Sequence, residues 1–356
     1  MNKWEIDLKN YRKKIDEIDD KLVSLLNERT IYSKKIGEIK NRYGLQLIDY
    51  SREKEVIKKI LKKSSMIIPE RDLKNIYREI IASSRKIQKS YTISFLGPKG
   101  TFSNIVFEKF FGKNTNYDLC RNIREIFQNV VSKDSKFGIV PVENSIEGSV
   151  SETLDYLYHF DVNIWAELKL KVSFHLASYF NSEKIRKIYS HPHAIAQCRG
   201  FIDKNFPDAE LIPLSSTAEG IKFLKDDRES AVIVSPYSIE IYNLKVISKN
   251  IEDAVNNFTR FFVISKDENN LTEGSKTSFI FAVSHQPKSL FNALQIVADN
   301  NLNMCKIESR PIKEIPWEYL FFVDIEGKVN ESFYTNFKTN TTFFKKLGTY
   351  PVEFLE

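Results

Sequence analysis

Two cationic side chains on one predicted helix are spaced so that both could reach the same small anionic ligand. Residues 8–39 place apolar side chains at alternating intervals of three and four, which predicts a single long amphipathic helix. Arg29 lies in the apolar seam of that helix, and Lys40 lies about 16 Å further along the axis and about 20° away in azimuth. Burial of a guanidinium is costly unless an anion accompanies it. Arg29 therefore either pairs with a neighbouring carboxylate or binds an anionic ligand, and the sequence leaves both open.

Polar residues also enter the buried face of a predicted third helix. Its apolar stripe runs from Leu73 to Ile81 and continues into Ser84 and Gln88, which lie four residues apart on the same face. Such residues can mark a helix that leaves the core. Here they coincide with a misplaced arginine, which favours a polar site inside a helical bundle.

A second helix is predicted between these two. It begins after Asp49 or Ser51, either of which is a good N-cap, and it carries Arg52 and Glu53 in its first turn.

Arg12 points to a second copy of the chain. It lies about 25 Å from Arg29 along the same helix, so it can serve the same site only from an antiparallel partner chain. An apolar seam of about 50 Å also needs a second copy to bury it. We therefore expect a homodimer or a higher homo-oligomer with composite sites.

The joint spacing of these residues resembles that of the all-helical chorismate mutases, in the form that is fused to dehydratases in bacteria. The matching residues are Arg12, Arg29, Gly37-Glu38-Ile39-Lys40, Asp49, Arg52-Glu53, Ser84 and Gln88. The resemblance implies an all-α mutase domain over residues 1–91 and an isomerase reaction, the Claisen rearrangement of chorismate to prephenate. That reaction needs a compact, oriented substrate and stabilised charge on the breaking ether, and it needs no cofactor.

The resemblance also implies which groups hold the substrate. Arg29 and the partner subunit's Arg12 would bind the two carboxylates with help from Ser84, since arginine presents paired donors that match a carboxylate.

The remaining candidates would act on the ether and the ring. Lys40 and Gln88 would donate to the ether oxygen as negative charge develops there. Glu53 would accept a hydrogen bond from the ring hydroxyl, with Asp49 and Arg52 supporting that position.

From residue 92 the pattern changes to short β-rich runs that alternate with helical ones. The β-rich runs include residues 92–96, 137–142, 188–190 and 231–235, with glycine-rich or polar loops at their ends. This alternation predicts an α/β architecture with a ligand site at the strand ends. The glycine loop at residues 97–101 lacks the spacing of a phosphate-binding loop and is weak evidence alone.

Five motifs of this segment resemble, in order and spacing, those of the prephenate dehydratases. They are Gly97-Pro98-Lys99-Gly100-Thr101-Phe102-Ser103, Pro141-Val142-Glu143-Asn144-Ser145 with Gly148-Ser149, Ser190-His191-Pro192 with Gln197-Cys198, Ser216-Thr217-Ala218, and Asn257-Phe258-Thr259-Arg260-Phe261. The resemblance implies a dehydratase domain over residues 92–270, built as two α/β lobes of the periplasmic-binding-protein type with the site in the cleft. It also implies a lyase reaction in which prephenate loses carbon dioxide and its ring hydroxyl to give phenylpyruvate.

Thr259 is the candidate proton donor to the leaving hydroxyl. An alcohol is a weak acid, so it needs a relay or a polarising neighbour, for which Arg260 is the candidate. The substrate-binding candidates are neutral donors suited to orienting carboxylates, together with Arg260: Ser103, Asn144, Ser190, Gln197 and Thr217.

Two nearby histidines invite a metal or general-base interpretation. His191 and His193 flank a proline and have no carboxylate or cysteine at metal-ligand spacing. We expect structural roles for both and no metal site.

The last 86 residues, from 271 to 356, have a different order of elements. Strands are predicted at 277–283, 303–309 and 319–325 and near Val352, with helices at 287–300 and 331–347. This order suggests an α+β ferredoxin-like domain. Its Glu308-Ser309-Arg310-Pro311 resembles the regulatory amino-acid-binding (ACT) domain that follows prephenate dehydratases, in which phenylalanine is the effector.

One departure from that family concerns the effector turn. Where the family has glycine-alanine-leucine-valine, this chain has Lys288-Ser289-Leu290-Phe291. Lysine and a phenyl ring would crowd a space that glycine leaves open. We therefore expect weakened or absent feedback by phenylalanine; a purely dimerising role for the domain stays open.

Charge and composition limit the other interpretations. The net charge of +6 is concentrated in residues 1–90, where 23 Lys and Arg face 14 Asp and Glu, a net of +9. A basic nucleic-acid-binding coiled coil would explain this charge but not an arginine in the apolar seam. A mutase fused to a non-catalytic module that senses a small anion is the second alternative, and the segment around Thr259 speaks against it. Since the chain has three scattered cysteines, no apolar run of about 18 residues and no signal-like start, we expect a cytoplasmic protein without membrane association.

Overall fold

The computed structural model describes the chain except for residues 1, 2, 47, 65, 66, 181–183, 215–218, 226, 255, 270–275, 313, 314, 316 and 356. It divides into two compact units. The helical unit comprises Met1–Tyr91 with Phe111–Asn116, and the large unit comprises Thr92–Phe110 with Tyr117–Glu356. Among the described residues, no helix combines the length and apolar character needed to cross a membrane.

Three helices form the helical unit: α1 (Lys3–Arg42), α2 (Tyr50–Lys63) and α3 (Glu70–Gln88). Of the two predicted N-caps of α2, the structure has Asp49 and not Ser51, because the Asp49 side chain accepts a hydrogen bond from the Arg52 backbone N–H at 3.0 Å. The α1 seam is open to solvent along most of its length, with Ile15, Leu22 and Leu25 more than half exposed.

Gly37 lets α1 approach α3 closely. A Cβ atom at this position would lie 2.7 Å from the Gln88 Cα atom, closer than real Cβ contacts come. The absence of a side chain at Gly37 therefore sets the distance between the helices where Gln88 must lie.

The large unit begins with strands and helices that alternate as predicted. In order they are β1 (Thr92–Leu96), α4 (Phe102–Phe111), β2 (Asn116–Cys120), α5 (Ile123–Ser132), β3 (Phe137–Asn144), β4 (Gly148–Ser149), α6 (Ser151–His159) and β5 (Asn163–Lys171). The chain then forms β6 (His175–Ser178), β7 (Lys187–Ser190), α7 (Pro192–Gln197), α8 (Arg199–Asn205), β8 (Glu210–Pro213), a 3₁₀ helix (Glu219–Lys225), β9 (Ser230–Val234), α9 (Pro236–Tyr242) and β10 (Lys245–Ser248) before returning in β11 (Phe258–Ser265).

These strands make two sheets, between which the chain crosses twice. The first sheet has the order β5-β11-β3-β1-β2, with β4 paired to β3, and the second has the order β10-β6-β9-β7-β8. Strands β3 and β11 are antiparallel neighbours at the centre of the first sheet. Each sheet has its own buried apolar cluster.

The C-terminal domain follows with β12 (Lys276–Ala282), α10 (Ser289–Asp299), β13 (Met304–Pro311), β14 (Tyr319–Glu326), α11 (Glu331–Thr339), β15 (Phe343–Tyr350) and β16 (Val352–Leu355). Its antiparallel sheet has the order β13-β14-β12-β15. With helices between the first two and the last two strands, this is the predicted ferredoxin-like arrangement.

The prediction of a helix over residues 331–347 is wrong. Helix α11 ends at Thr339, where the Asn340 and Thr341 side chains bond to backbone carbonyls of its last turn. Such side chains compete with continued helix, and the aromatic residues that follow form β15 against β12.

The strand expected near Val352 exists but has a different partner. Strand β16 pairs in parallel with β5 and extends the first sheet, while β15 is the fourth strand of the C-terminal sheet. A shared apolar cluster, which includes Val140, Ile264, Ile280 and Tyr350, joins the two sheets.

Candidate functional site

The first candidate site lies where α1 faces α3 in the helical unit. The Arg29 guanidinium donates a hydrogen bond to the Ser84 hydroxyl, and that hydroxyl donates to the Ile80 carbonyl at 2.8 Å. Within the part of the chain that the structure describes, Arg29 forms no ion pair with a carboxylate of its own chain. Its charge is therefore left for a ligand, which favours the second of the two alternatives.

Gln88 presents an unsatisfied polar atom at the same helix contact. Among the described residues its Oε1 atom is buried and has no hydrogen-bond partner. Buried polar atoms of native proteins almost always have a partner, so this amide is suited to a ligand.

Lys40 and Glu53 bring opposite charges to this site. Burial is the main influence on the Lys40 amine and lowers its pKa, while the nearby Asp49 and Glu53 carboxylates oppose that shift. Lys40 is thus close enough to the start of α2 to interact with the carboxylates of Asp49 and Glu53.

Arg85 is the residue that sequence reasoning missed. It is buried on α3, and its Nε atom donates to Glu53 Oε1 at 2.8 Å while Nη2 donates to Glu53 Oε2. Burial acts to lower the pKa of Arg85, but the Glu53 carboxylate outweighs it and the pKa is raised. The sequence signal that could have identified Arg85 is its position four residues after Ile81, which puts a cation on the apolar stripe of α3.

Two predicted residues lie away from this group. Arg52 is more than half exposed and pairs with Glu55 at 2.6 Å. Arg12 is exposed on α1. A single chain therefore does not bring either guanidinium to Arg29.

The second candidate site lies on the first sheet of the large unit. Asn144 at the end of β3 stands opposite Thr259 on β11, and its Nδ2 atom donates to Thr259 Oγ1 at 3.0 Å. The same Nδ2 atom donates to Asn257 Oδ1 at 2.9 Å, and Asn257 Nδ2 donates to Gln197 Oε1 at 2.7 Å. Three predicted residues are therefore in one hydrogen-bonded group, which a fully buried asparagine completes.

The structure places the Arg260 guanidinium away from this group. Successive side chains of a strand point to opposite faces, so Arg260 faces the C-terminal domain while Thr259 faces the site. Arg260 contacts Glu143 at 2.5 Å, Glu167 at 2.8 Å and Asp324 at 2.6 Å. Burial acts to lower its pKa, yet the Asp324 and Glu167 carboxylates raise it. The side chain that donates a hydrogen bond to the Thr259 hydroxyl is thus that of Asn144 and not that of Arg260.

The other candidates of this segment have diverse surroundings. Ser190 is fully buried at the end of β7 and donates to the Ile233 carbonyl at 2.9 Å. Ser103 is buried in the first turn of α4. Thr217 lies outside the described residues. His193 contacts the Glu147 carboxylate and His191 accepts from the His193 backbone N–H at 3.3 Å.

The Glu308-Ser309-Arg310-Pro311 segment lies on β13, and two of its side chains contact the dehydratase-like part of the large unit. The Ser149 hydroxyl donates to Glu308, and Arg310 donates to Asp155 at 3.0 Å and to Ser151 at 2.6 Å. The position of Lys288 is also unusual, because its φ of 70° lies in the left-handed region that favours glycine.

Comparison with known proteins gives matches over both segments. The sequence model of chorismate mutase type II matches residues 11–89, and that of prephenate dehydratase matches residues 93–269. A bifunctional chorismate mutase/prephenate dehydratase from Aquifex aeolicus is 39% identical, with 98% of this chain and 99% of that protein covered. The bifunctional protein of the same name from Neisseria gonorrhoeae is 33% identical, with 97% of each chain covered.

Two solved structures are similar to the large unit. A prephenate dehydratase from Arthrobacter aurescens in complex with L-Phe has a TM-score of 0.66 and 29% identity, covering 73% of this chain and 90% of that one. A prephenate dehydratase from Staphylococcus aureus has a TM-score of 0.65 and 28% identity, covering 73% and 99%.

The buried Glu53–Arg85 pair can be tested by its effect on stability. Replacement of either partner alone, in Arg85→Met or Glu53→Met, leaves the other partner's buried charge without a counter-charge. Each single variant should therefore lower the free energy of unfolding by about 3 to 5 kcal/mol. The double variant should lose less than the sum of the two, because no charge is left unpaired. Urea unfolding of the full chain at one fixed protein concentration, followed by circular dichroism, measures these differences. Arg52→Met, which removes an exposed ion pair of the same helix, is the control and should cost less than about 1 kcal/mol.

Proposed function

Since this chain belongs to the bifunctional chorismate mutase/prephenate dehydratase family, we propose that its two candidate sites divide the two reactions of that family between the helical unit and the large unit. The protein converts chorismate to prephenate and prephenate to phenylpyruvate, in the biosynthesis of phenylalanine. The assignment of individual residues to these reactions, the assembly and the regulation are our proposals.

In the mutase reaction, Arg29 and Ser84 bind one carboxylate of chorismate. The contact that supports this is the hydrogen bond from Arg29 to Ser84, which orients a guanidinium that has no carboxylate partner among the described residues. Lys40 and Gln88 donate to the ether oxygen. The unsatisfied amide oxygen of Gln88 supports a ligand at this point, because the side-chain amide can turn to donate through its Nε2 NH₂ group. Glu53 accepts from the ring hydroxyl while Arg85 holds its carboxylate in place.

The second carboxylate of chorismate requires the partner subunit's Arg12. The exposed apolar seam of α1 supports a dimer, since large side chains such as Leu22 and Leu25 would otherwise remain in water. Asp49 caps α2 and Arg52 lies on its outer side, so both act by supporting the position of Glu53.

In the dehydratase reaction, Thr259 donates a hydrogen bond to the ring hydroxyl of prephenate. The C–CO₂ bond breaks, its electron pair enters the ring, and the hydroxide that leaves takes a proton to become water. The carrying observation is the bond from Asn144 Nδ2 to Thr259 Oγ1 at 3.0 Å, because this donor stabilises negative charge on the threonine oxygen as its proton is given up. Thr259 then regains a proton from solvent. Four further residues orient the substrate: Ser103, Ser190, Gln197 and Thr217. Arg260 supports the strand that carries Thr259 from the opposite face of β11, through its ion pairs.

The C-terminal domain is an ACT domain that binds phenylalanine, by likeness to the relative in complex with L-Phe. Effector binding at the Lys288–Phe291 turn is weak, because a lysine in a left-handed conformation and the exposed Phe291 ring occupy the space that a glycine turn leaves open. We also propose that the dehydratase part of the large unit has the two-lobed architecture of periplasmic binding proteins.

A coupled assay on chorismate separates the two reactions. Arg29→Ala should abolish prephenate formation and leave the conversion of added prephenate unchanged. Thr259→Ala should let prephenate accumulate, with dehydratase kcat reduced by about 100-fold or more. Loss of both activities in either single variant would contradict two independent sites.

Complementation between subunits tests the composite mutase site. Arg12→Ala and Arg29→Ala proteins should each lack mutase activity, because each removes one guanidinium from every site of a homodimer. After mixing and subunit exchange, about half of the dimers should be mixed and each should hold one intact site, so about a quarter of wild-type activity should return. Mixing that restores no mutase activity, while subunit exchange is shown by mass spectrometry, would refute the arrangement.

Substitution of Lys288 tests the account of feedback. Lys288→Gly removes the left-handed strain and the crowding, so it should increase inhibition of the dehydratase by phenylalanine and stabilise the fold by about 1 kcal/mol. Lys133→Gly relieves a similar backbone conformation at the end of α5, where φ is 67°, and should leave inhibition unchanged. Strong inhibition of the wild-type enzyme by phenylalanine would show that the turn does not weaken feedback.

A further inference from the structure

A series of hydrogen bonds runs from an exposed carboxylate to the Thr259 hydroxyl. Glu147 Oε1 accepts from Gln197 Nε2 at 2.6 Å, and Gln197 Oε1 accepts from Asn257 Nδ2 at 2.7 Å. Asn257 Oδ1 accepts from Asn144 Nδ2 at 2.9 Å, and the same Asn144 nitrogen donates to Thr259 Oγ1 at 3.0 Å. The series joins the loop after β3 with α7, which follows a strand of the second sheet.

The direction of every bond in this series is fixed by its two ends. At one end, Asn144 Oδ1 accepts from the backbone N–H groups of Ile146 at 2.9 Å and Glu147 at 3.2 Å, so the other atom of that amide must be the NH₂ group. At the other end, an ionised carboxylate can only accept, so Gln197 must present its NH₂ group to Glu147. The two constraints agree, since each amide between them then donates toward Glu147.

Because the middle of the series is buried, water cannot replace the hydrogen bonds that a reversed amide would lose. Asn257 has no exposed surface, so its amide depends on Asn144 and Gln197 for both of its side-chain hydrogen bonds. A reversed Gln197 would set its NH₂ group against that of Asn257 and leave buried donors unpaired, at a cost of about 1 to 3 kcal/mol per group. The Asn144 end therefore already fixes the orientation of Asn257 and Gln197, and the contact with Glu147 anchors the Gln197 NH₂ group at the other end of the series.

We propose that Glu147 is a positioning residue of the dehydratase reaction, which it serves by anchoring the series of hydrogen bonds that ends at Thr259. Because Thr259 Oγ1 accepts from Asn144, its own hydrogen points elsewhere and is available to the leaving hydroxyl. Without the acceptor at position 147, Gln197 loses the bond that holds its NH₂ group, and through Asn257 the Asn144 amide is held less firmly against Thr259. This inference rests on the proposed role of Thr259 as the donor.

The experiment compares four variants of the full chain with prephenate as substrate: two at Glu147, and one each at His193 and Thr259. Glu147→Ala removes the acceptor and should lower dehydratase kcat by about 10-fold or more with little change in KM, since misplacement of a catalytic group costs rate and not binding. Glu147→Gln keeps an acceptor oxygen without the charge and should recover most of that loss. Mutase activity, which belongs to the helical unit, should stay at the wild-type value in all variants, and circular dichroism with urea unfolding reports whether the large unit is folded.

His193→Ala is the matched control, because His193 contacts the other oxygen of the same carboxylate. It removes the histidine–carboxylate contact and leaves the amide series intact, so dehydratase kcat should remain close to wild type. A loss equal to that of Glu147→Ala would show that the carboxylate acts through His193, and would overturn the inference. An equal loss in Glu147→Ala and Glu147→Gln would overturn it as well, because charge and not an acceptor would then matter.

Thr259→Ala separates failure of this inference from failure of the proposed function. If Thr259→Ala loses dehydratase activity and Glu147→Ala does not, the role of Thr259 stands and that of Glu147 is refuted. If Thr259→Ala keeps its activity, the proposed donor is wrong and the inference fails with it.

Discussion

The two-residue period of the neighbouring strands β3 and β11 is the constraint on which the site of the large unit depends. Their antiparallel register places Asn144 opposite Thr259 and Glu143 opposite Arg260. Since successive side chains point to opposite faces, the first pair faces the site and the second faces the C-terminal domain. A slip of one residue would turn Arg260 to the face of the sheet where the Thr259 hydroxyl now lies. The carboxylates behind the sheet oppose such a slip, because Arg260 is satisfied only on their side.

Three arginines of the two units differ in what balances their charge. Arg85 and Arg260 are each bound by carboxylates of the same chain, so their charge is already compensated. Arg29 is only partly buried and contacts a neutral hydroxyl, which does not compensate its charge. The cost of burying an uncompensated guanidinium is high, and a doubly charged substrate is the group that would offset it. The carboxylate partners of Arg85 and Arg260 therefore indicate a role in stabilising the fold, whereas the neutral partner of Arg29 favours a role in binding an anion.

Sequence reasoning succeeded where structure depends on near neighbours. The start of α2 after Asp49 follows from one side chain and the next three residues. Asn144 and Thr259 were identified separately, each from its own motif. Sequence reasoning did not find the hydrogen bond between them, because the two are 115 residues apart and only the register of the sheet joins them. Adjacency in sequence suggested Arg260 instead, although adjacent residues of a strand face apart. Residues 343–347 were assigned to a helix because their apolar spacing fits a helix and a strand alike, and the pairing of β15 with β12 decides between them.

The position of β13 limits how the C-terminal domain can influence the dehydratase site. Alternate residues of this strand, Lys306, Glu308 and Arg310, contact Glu143, Ser149 and Asp155 respectively. Glu143 is covalently next to Asn144, so the contact of Lys306 lies one residue from the group that polarises Thr259. A ligand of the C-terminal domain can shift the dehydratase between states only through contacts that differ in free energy between them. The ion pairs of β13 and Asp324 are the contacts through which such a difference would reach β3 and β11, because they join the domain to the back of the two strands that carry the site.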